Sequence, residues 1–211
     1  TMHSLAEGLA AGLGKRVRLA TPATRIVRDG DRVTVEAGGE RFEARHVLVA
    51  LPPSMAARLT YSPALPARLG ASLAAWQGGV VLKLRLRYGR AFWRTRGQSG
   101  MAMWRDLHGL FCCDASPDDA NPALVVFAGG PLAAGWQASG RDAIVAKVLA
   151  ELGKALGGEA TRPLDVSLAD WCGSAWDGGG YSDLVMDMGA RDAEDLIRAG
   201  APPIHFASSE L

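Results

Sequence analysis

The sequence predicts a mixed α/β (α+β) fold built on a mostly antiparallel sheet with covering helices. Three observations carry that expectation. Residues 80–88 alternate: Val80, Leu82, Leu84, Leu86 and Tyr88 share one face, Val81, Lys83, Arg85 and Arg87 the other, as in a half-buried strand. Residues 142–156 place Ile144, Val145, Val148, Leu149, Leu152 and Leu156 on one helical stripe. Short strand-like runs separated by turn residues surround both.

Taken in order, Ser4–Leu13 reads as a short helix, with Ser4 as N-cap, Glu7 in capping-box position and Gly14 as the stop. Val17–Leu19 is expected to be a strand. Thr24–Arg28 and Arg32–Glu36 flank Asp29-Gly30, a hairpin signal because the glycine tolerates positive φ, and Glu40–Ala44 adds a strand. Val47–Leu51 is a continuous apolar run, expected to be buried on both faces and stopped by Pro52-Pro53. Pro63 and Pro66 then mark a boundary between two packing units. Gly100–Trp104, Gly109–Cys113, Leu124–Ala128 and Val166–Trp171 read as further strands. A turn at Gly178-Gly179-Gly180 leads into Tyr181, Asp192–Ala199 is a short helix, and Ile204–Ala207 is a last buried strand. The sequence stops soon afterwards, at Leu211, where an α/β unit would continue into a helix; truncation is expected.

Composition narrows the function classes. With 48% hydrophobic and 21% charged residues in 211, the chain can bury a core without disulfide or metal support. A net charge of +1 offers nothing to a nucleic acid or an anionic membrane, so neither is expected as a partner. No apolar run reaches the ~18 residues of a membrane helix, and Thr1–Gly14 lacks the basic start and apolar core of a signal peptide. Cys112, Cys113 and Cys172 have neither disulfide nor zinc spacing, which suggests thiols in a reducing compartment and a cytoplasmic location. His3, His46, His108 and His205 are scattered, so no metal site is expected. No Gly-x-Ser-x-Gly elbow supports a serine hydrolase.

Four stretches, in this order, resemble the flavin monoamine oxidase family, which includes polyamine oxidases, amino-acid oxidases and histone-demethylase-type amine oxidases. They are MHSLAEGLAAGLG with VRLATPATRI; HVLVALPPS; GGVVLKLRLRYGRAFWR, where a strand lysine precedes Phe92-Trp93 by nine residues; and Trp171 through WDGGGYS to IHFASSE. The resemblance implies that residues 1–68 and 174–211 are segments of an FAD-binding domain and residues 69–173 a substrate domain. It implies oxidative deamination of a small-molecule amine or amino acid, with hydride passing to the flavin and oxygen giving peroxide. The substrate domain would also offer a surface for a homodimer.

The resemblance also supplies the site residues. Lys83 corresponds to the family's lysine that holds a water against flavin N5; on periodicity alone it belongs, with Arg85 and Arg87, to a solvated basic face. Tyr181 resembles one wall of an aromatic cage, or is a loop aromatic covering the core. Trp171 resembles a tryptophan beside the flavin ring, or is a core residue. Gly180 stands where some members carry a flavin-linked cysteine, which implies non-covalent FAD. Ala23 matches a main-chain contact at the adenine end. Ser208-Ser209-Glu210 stands where Gly-Thr-Glu is common, so Ser208 replaces a glycine that lets the backbone approach FAD.

The family's Gly-x-Gly-x-x-Gly turn has no counterpart: Gly8, Gly12 and Gly14 are spaced wrongly and lie in the first helix. This leaves two alternatives open. One is an FAD oxidoreductase of the protoporphyrinogen oxidase or carotenoid desaturase type; the other is a cofactor-free, non-catalytic fragment.

Overall fold

The computed structural model describes residues 2–187 and 189–211. Helix α1 (Met2–Leu13) is followed by β1 (Ala23–Asp29), β2 (Arg32–Ala37), β3 (Glu40–Ala44) and β4 (Val47–Val49). Next come α2 (Pro53–Ala56), β5 (Thr60–Ser62), α3 (Ala67–Ala74), β6 (Trp76–Gly79), β7 (Val81–Arg87) and α4 (Phe92–Thr95). The middle of the chain forms β8 (Ala102–Met103), β9 (Leu110–Asp114), β10 (Ala123–Gly129), α5 (Gly130–Gln137) and α6 (Arg141–Leu156). The chain then adds β11 (Asp165–Asp170), β12 (Gly180–Val185), α7 (Ala193–Ala199) and β13 (Ile204–Phe206). The predicted mixed α/β class is what folds, with two separate apolar cores.

The first core lies under a four-stranded sheet ordered β3-β2-β1-β5. The hairpin between β1 and β2 closes Asp29 on Arg32 through Gly30 at φ +60°, as the Asp-Gly dipeptide predicts. Ile26 and Val33 are buried from this sheet, with Leu69 and Leu73 from α3 and Ile197 from α7. Arg68 and Asp192 pair across the two helices.

Three local expectations need correction. The first helix begins at Met2, so Ser4 lies inside it rather than at its N-cap, and Glu7 pairs with His3. Val17–Leu19 forms no strand. Ala20 turns the backbone to φ +53°, Pro22 lacks an N–H, and Leu19 stays 84% exposed, so no ladder is available to those residues. Third, β4 is not buried on both faces. It pairs in parallel with β13 alone; Val49 faces the core while Leu48 is 62% exposed. The double proline ends β4 as expected, and Pro53 opens α2 with its fixed φ.

The second core lies under a five-stranded antiparallel sheet ordered β11-β7-β10-β9-β8. In β7 the predicted alternation is realised: Leu82, Leu84 and Leu86 are buried, while Lys83, Arg85 and Arg87 are exposed. Helix α6 covers the buried face with Ile144, Val148, Leu152 and Leu156, four members of the stripe read from the sequence.

The turn after β7 is locked by aromatic packing. Tyr88, Phe92 and Trp93 meet edge to face with ring centroids 4.9–5.6 Å apart, and Tyr88 Oη donates to the Ala160 carbonyl at 2.8 Å. That enclosure pushes the Tyr88 hydroxyl pKa upward, by burial first and then by Cys112 nearby. Asp114, at the end of β9, accepts hydrogen bonds from Trp93 Nε1, Arg94 Nε and the Ser116 N–H and hydroxyl. Burial pushes its carboxyl upward, but the donors Arg94, Ser116 and Trp93 outweigh it and hold the pKa well below the usual carboxylate range. Because the folded pKa is depressed, Asp114 contributes stability above the unfolded carboxylate value of about 3.9, lost as pH falls through the folded one. Asp114→Asn is therefore expected to cost about 1–3 kcal/mol at neutral pH, with the deficit shrinking as acid removes the wild-type advantage. Urea midpoints from pH 7 down to pH 3 are the measurement.

Candidate active site

The exposed face of the second sheet is set by register. One row crosses it from Met103 to Phe111, Phe127, Lys83 and Ala169, contributed by β8, β9, β10, β7 and β11. Side chains two apart on each strand stand in neighbouring rows, so Cys113, Val125, Arg85 and Ser167 form the next.

Phe127 is the hub of the aromatic cluster. Its ring stacks on Phe111 at 6.2 Å and 19°, Lys83 Nζ lies 5.4 Å from its centroid, and the Tyr181 ring lies 5.8 Å away at 42°. Lys83 is therefore exposed yet placed against an aromatic face rather than free in solvent, a cation–π geometry. Burial and neighbouring Asp114 raise the Cys113 thiol pKa, with Lys83 pulling in the opposite direction. Burial, then Cys113, raises the Tyr181 hydroxyl pKa.

Tyr181 is delivered by backbone packing. It occupies the left-handed region at φ +64°, costly for a residue with a Cβ, and its ring is 78% exposed. The glycines before it are required by their neighbours. A Cβ on Gly78 would meet the Gly178 carbonyl oxygen at 2.7 Å, one on Gly79 the Gly180 oxygen at 2.6 Å, and one on Gly179 the Gly78 Cα at 2.6 Å. A Cβ on Gly180 would collide with Val81 Cγ1. Strands β6 and β12 thus approach backbone to backbone, closer than any side chain permits.

Trp171 shares the parity of Ala169 and follows the end of β11, 46% exposed. Cys172 pins this end: its Sγ accepts the Val81 N–H at 3.3 Å and donates to the Gly79 carbonyl at 3.4 Å. Asp170 caps the following turn by accepting the N–H groups of Cys172 and Gly173. Lys83, Trp171, Gly180 and Tyr181 accordingly gather at one corner where β6, β7, β11 and β12 meet.

The remaining candidates lie elsewhere. Glu210 accepts the Asp183 N–H at 3.3 Å, Ser209 donates to Glu210, and Ser208 Oγ accepts the Glu210 N–H at 3.3 Å. This segment docks on β12 two residues beyond Tyr181; the buried Asp183 carboxylate accepts the Ser54 N–H of α2 at 3.0 Å. Ala23 opens β1 opposite Ala37, next to a groove of about 370 Å³ lined by Arg18, Leu19, Thr21, Pro22 and Trp176. Sequence reasoning singled out neither Phe127 nor Phe111, because only strand register aligns them with Lys83. Trp176, 70% exposed and just before the glycine turn, opens the WDGGGYS stretch but has no role legible in the sequence.

The family model described as flavin containing amine oxidoreductase matches residues 1–211. The chain belongs to this family. An L-amino acid dehydrogenase from Synechocystis is 29% identical over 204 residues, covering 96% of this chain and 43% of that protein. The flavin-containing amine oxidase A of Equus caballus is 27% identical, covering 94% and 38%. Among solved structures, a cyclohexylamine oxidase from Brevibacterium oxydans superposes with a TM-score of 0.90 at 28% identity over 98% of this chain and 46% of that one. A putrescine oxidase bound to putrescine gives 0.91 at 30% identity over 99% and 47%. The chain spans less than half the length of these relatives.

The glycine contacts yield a test. Gly180→Ala is expected to destabilise the fold by about 1–3 kcal/mol through overpacking against Val81. Pairing it with Val81→Ala should recover part of the loss. Thermal unfolding of Gly180→Ala, Val81→Ala and the double variant decides; an additive loss would show that Val81 is not the obstacle.

Proposed function

We propose that this chain supplies the substrate-side wall of an FAD-dependent amine or amino-acid oxidoreductase. The observation that carries the reading is the joint placement of Lys83 and Tyr181 around Phe127, on a face of the sheet with no covering helix among the described residues. Two exposed aromatic side chains, Trp171 and Tyr181, stand beside a corner where Gly180 contributes no side chain. Flat apolar faces, a glycine corner and a cation are the groups that suit one side of a flavin ring, so the residues present fit the cofactor. Bound there, FAD would accept a hydride equivalent from the carbon beside the amine nitrogen.

The chain's own residues would orient and exclude. Phe127 and Tyr181 present aromatic faces to the amine and to the apolar body of the substrate. Lys83 would hold a water and place positive charge where negative charge develops. Trp171 and Tyr181 would flank the ring; Ser208, Ser209 and Glu210, beside β12, and Ala23, beside the Trp176 groove, would contact the rest of the cofactor. With no thiol at position 180, attachment would be non-covalent. The two cores support assigning residues 69–173 to substrate binding and residues 1–68 and 174–211 to the cofactor, although Leu69, Leu73 and Trp76 pack with the flanking segments.

Two measurements test this. The purified 211-residue chain, which has no glycine turn of dinucleotide-binding spacing, is expected to show no flavin absorption near ~450 nm, whereas the full-length protein should be yellow and bleach anaerobically with an amine or amino acid. In that holoenzyme Lys83→Met is expected to lower turnover about 100-fold while leaving the flavin bound. Unchanged turnover would remove Lys83 from the site and favour an FAD oxidoreductase of another substrate class.

A further inference from the structure

Resting on that reading, we infer that the substrate is an amino acid with an apolar or aromatic side chain, its carboxylate held by Arg85. The open face of β7 carries Lys83, Arg85 and Arg87 in successive rows. Of these, only Arg87 has a carboxylate nearby among the described residues, Asp165 at 4.0 Å, at the far end of the stripe. Lys83 is placed against Phe127. Arg85 has neither an ion pair nor a side-chain hydrogen bond among the described residues.

Its surroundings point to an outside anion. Arg85 is flanked in its row by Val125 on β10 and Ser167 on β11, neither of which carries charge. Cys113 lies beyond Val125, and its thiol is shifted toward the neutral form. The other carboxylates near the sheet are engaged: Asp114 with Trp93 and Arg94, Asp170 with Gln137 and its own turn. A substrate whose only charge is an ammonium meets a wholly cationic wall at this point and gains nothing from it. A zwitterion gains from Arg85, whose planar fork accepts a carboxylate through two parallel hydrogen bonds.

Spacing and lining agree with this choice. Lys83 and Arg85 are two residues apart, about 6.8 Å along the strand, so one face can serve a reacting amine and a carboxylate together. Phe111, Phe127, Tyr181 and the 78% exposed Met103 give the rest of the wall an apolar and aromatic surface for the side chain.

The test uses the FAD-loaded full-length protein and compares phenylalanine with phenethylamine, which differ by the carboxylate alone. Phenylalanine should be preferred in kcat/KM. Arg85→Gln should collapse that preference by roughly 10–100-fold, chiefly through KM, the loss of a charge-assisted hydrogen bond. Arg85→Lys should restore part of it. Phenylacetate, which cannot be oxidised, should perturb the flavin spectrum on binding, and Arg85→Gln should weaken its Kd by about 10-fold. Bleaching by amines without preference for the amino acid, or an unchanged preference in Arg85→Gln, overturns the inference and leaves the amine oxidase reading standing. No bleaching by any amine or amino acid overturns both.

Discussion

The geometry of the candidate site depends on one close approach, that of Gly78 and Gly79 to Gly178, Gly179 and Gly180. Main-chain atoms occupy the space where side chains of Gly78, Gly79 and Gly179 would stand, while Met55 and Val81 side chains crowd Gly178 and Gly180, so glycine at these positions lets β12 lie this close to β6. That crossing delivers Tyr181 to Phe127, and the Phe127 ring in turn receives the Lys83 ammonium.

Stability and site are supplied by opposite faces of the same sheet. Leu82, Leu84 and Leu86 are wholly buried under α6, while the side chains between them carry charge outward. Trp93, also fully buried, is both packed and hydrogen-bonded. Removing a buried tryptophan costs about 3–5 kcal/mol, against about 1 kcal/mol for an average hydrogen bond, so packing holds α4 in place and Asp114 sets its orientation. The strain at Tyr181 is sustained elsewhere, by the packing of β12 on β6.

A second consequence is uneven cover. Leu5, Leu9 and Leu13 lie along one side of α1 at 47–64% exposure, and Leu48 and Leu51 are exposed around the end of β4. The second sheet, by contrast, has a complete core on its helical side, and its open side carries the polar and aromatic groups of the candidate site. Family membership, shown by the match along the entire chain, fits this arrangement of one sheet with one covered and one open face.

By itself the sequence determined the elements whose pattern is local. Period-two alternation in residues 80–88 and the helical stripe from Ile144 to Leu156 fix which face is apolar before any partner is known. The Asp29-Gly30 hairpin is likewise a matter of backbone dihedrals. Short elements such as α2, β5 and α4 were not legible, because three or four residues carry no period and form only against neighbours. The burial of β4 was misjudged for a related reason: an apolar run reports what a strand could bury, and the number of ladders beside it decides what it does bury. For the site, Lys83 and Tyr181 were legible as a spacing shared with a family, but their association was not. Ninety-seven residues lie between them in the chain, and only the strand register through Phe127 and the glycine crossing brings them together. Tertiary structure decided that meeting because side-chain proximity across a sheet depends on which strands pair and in what register.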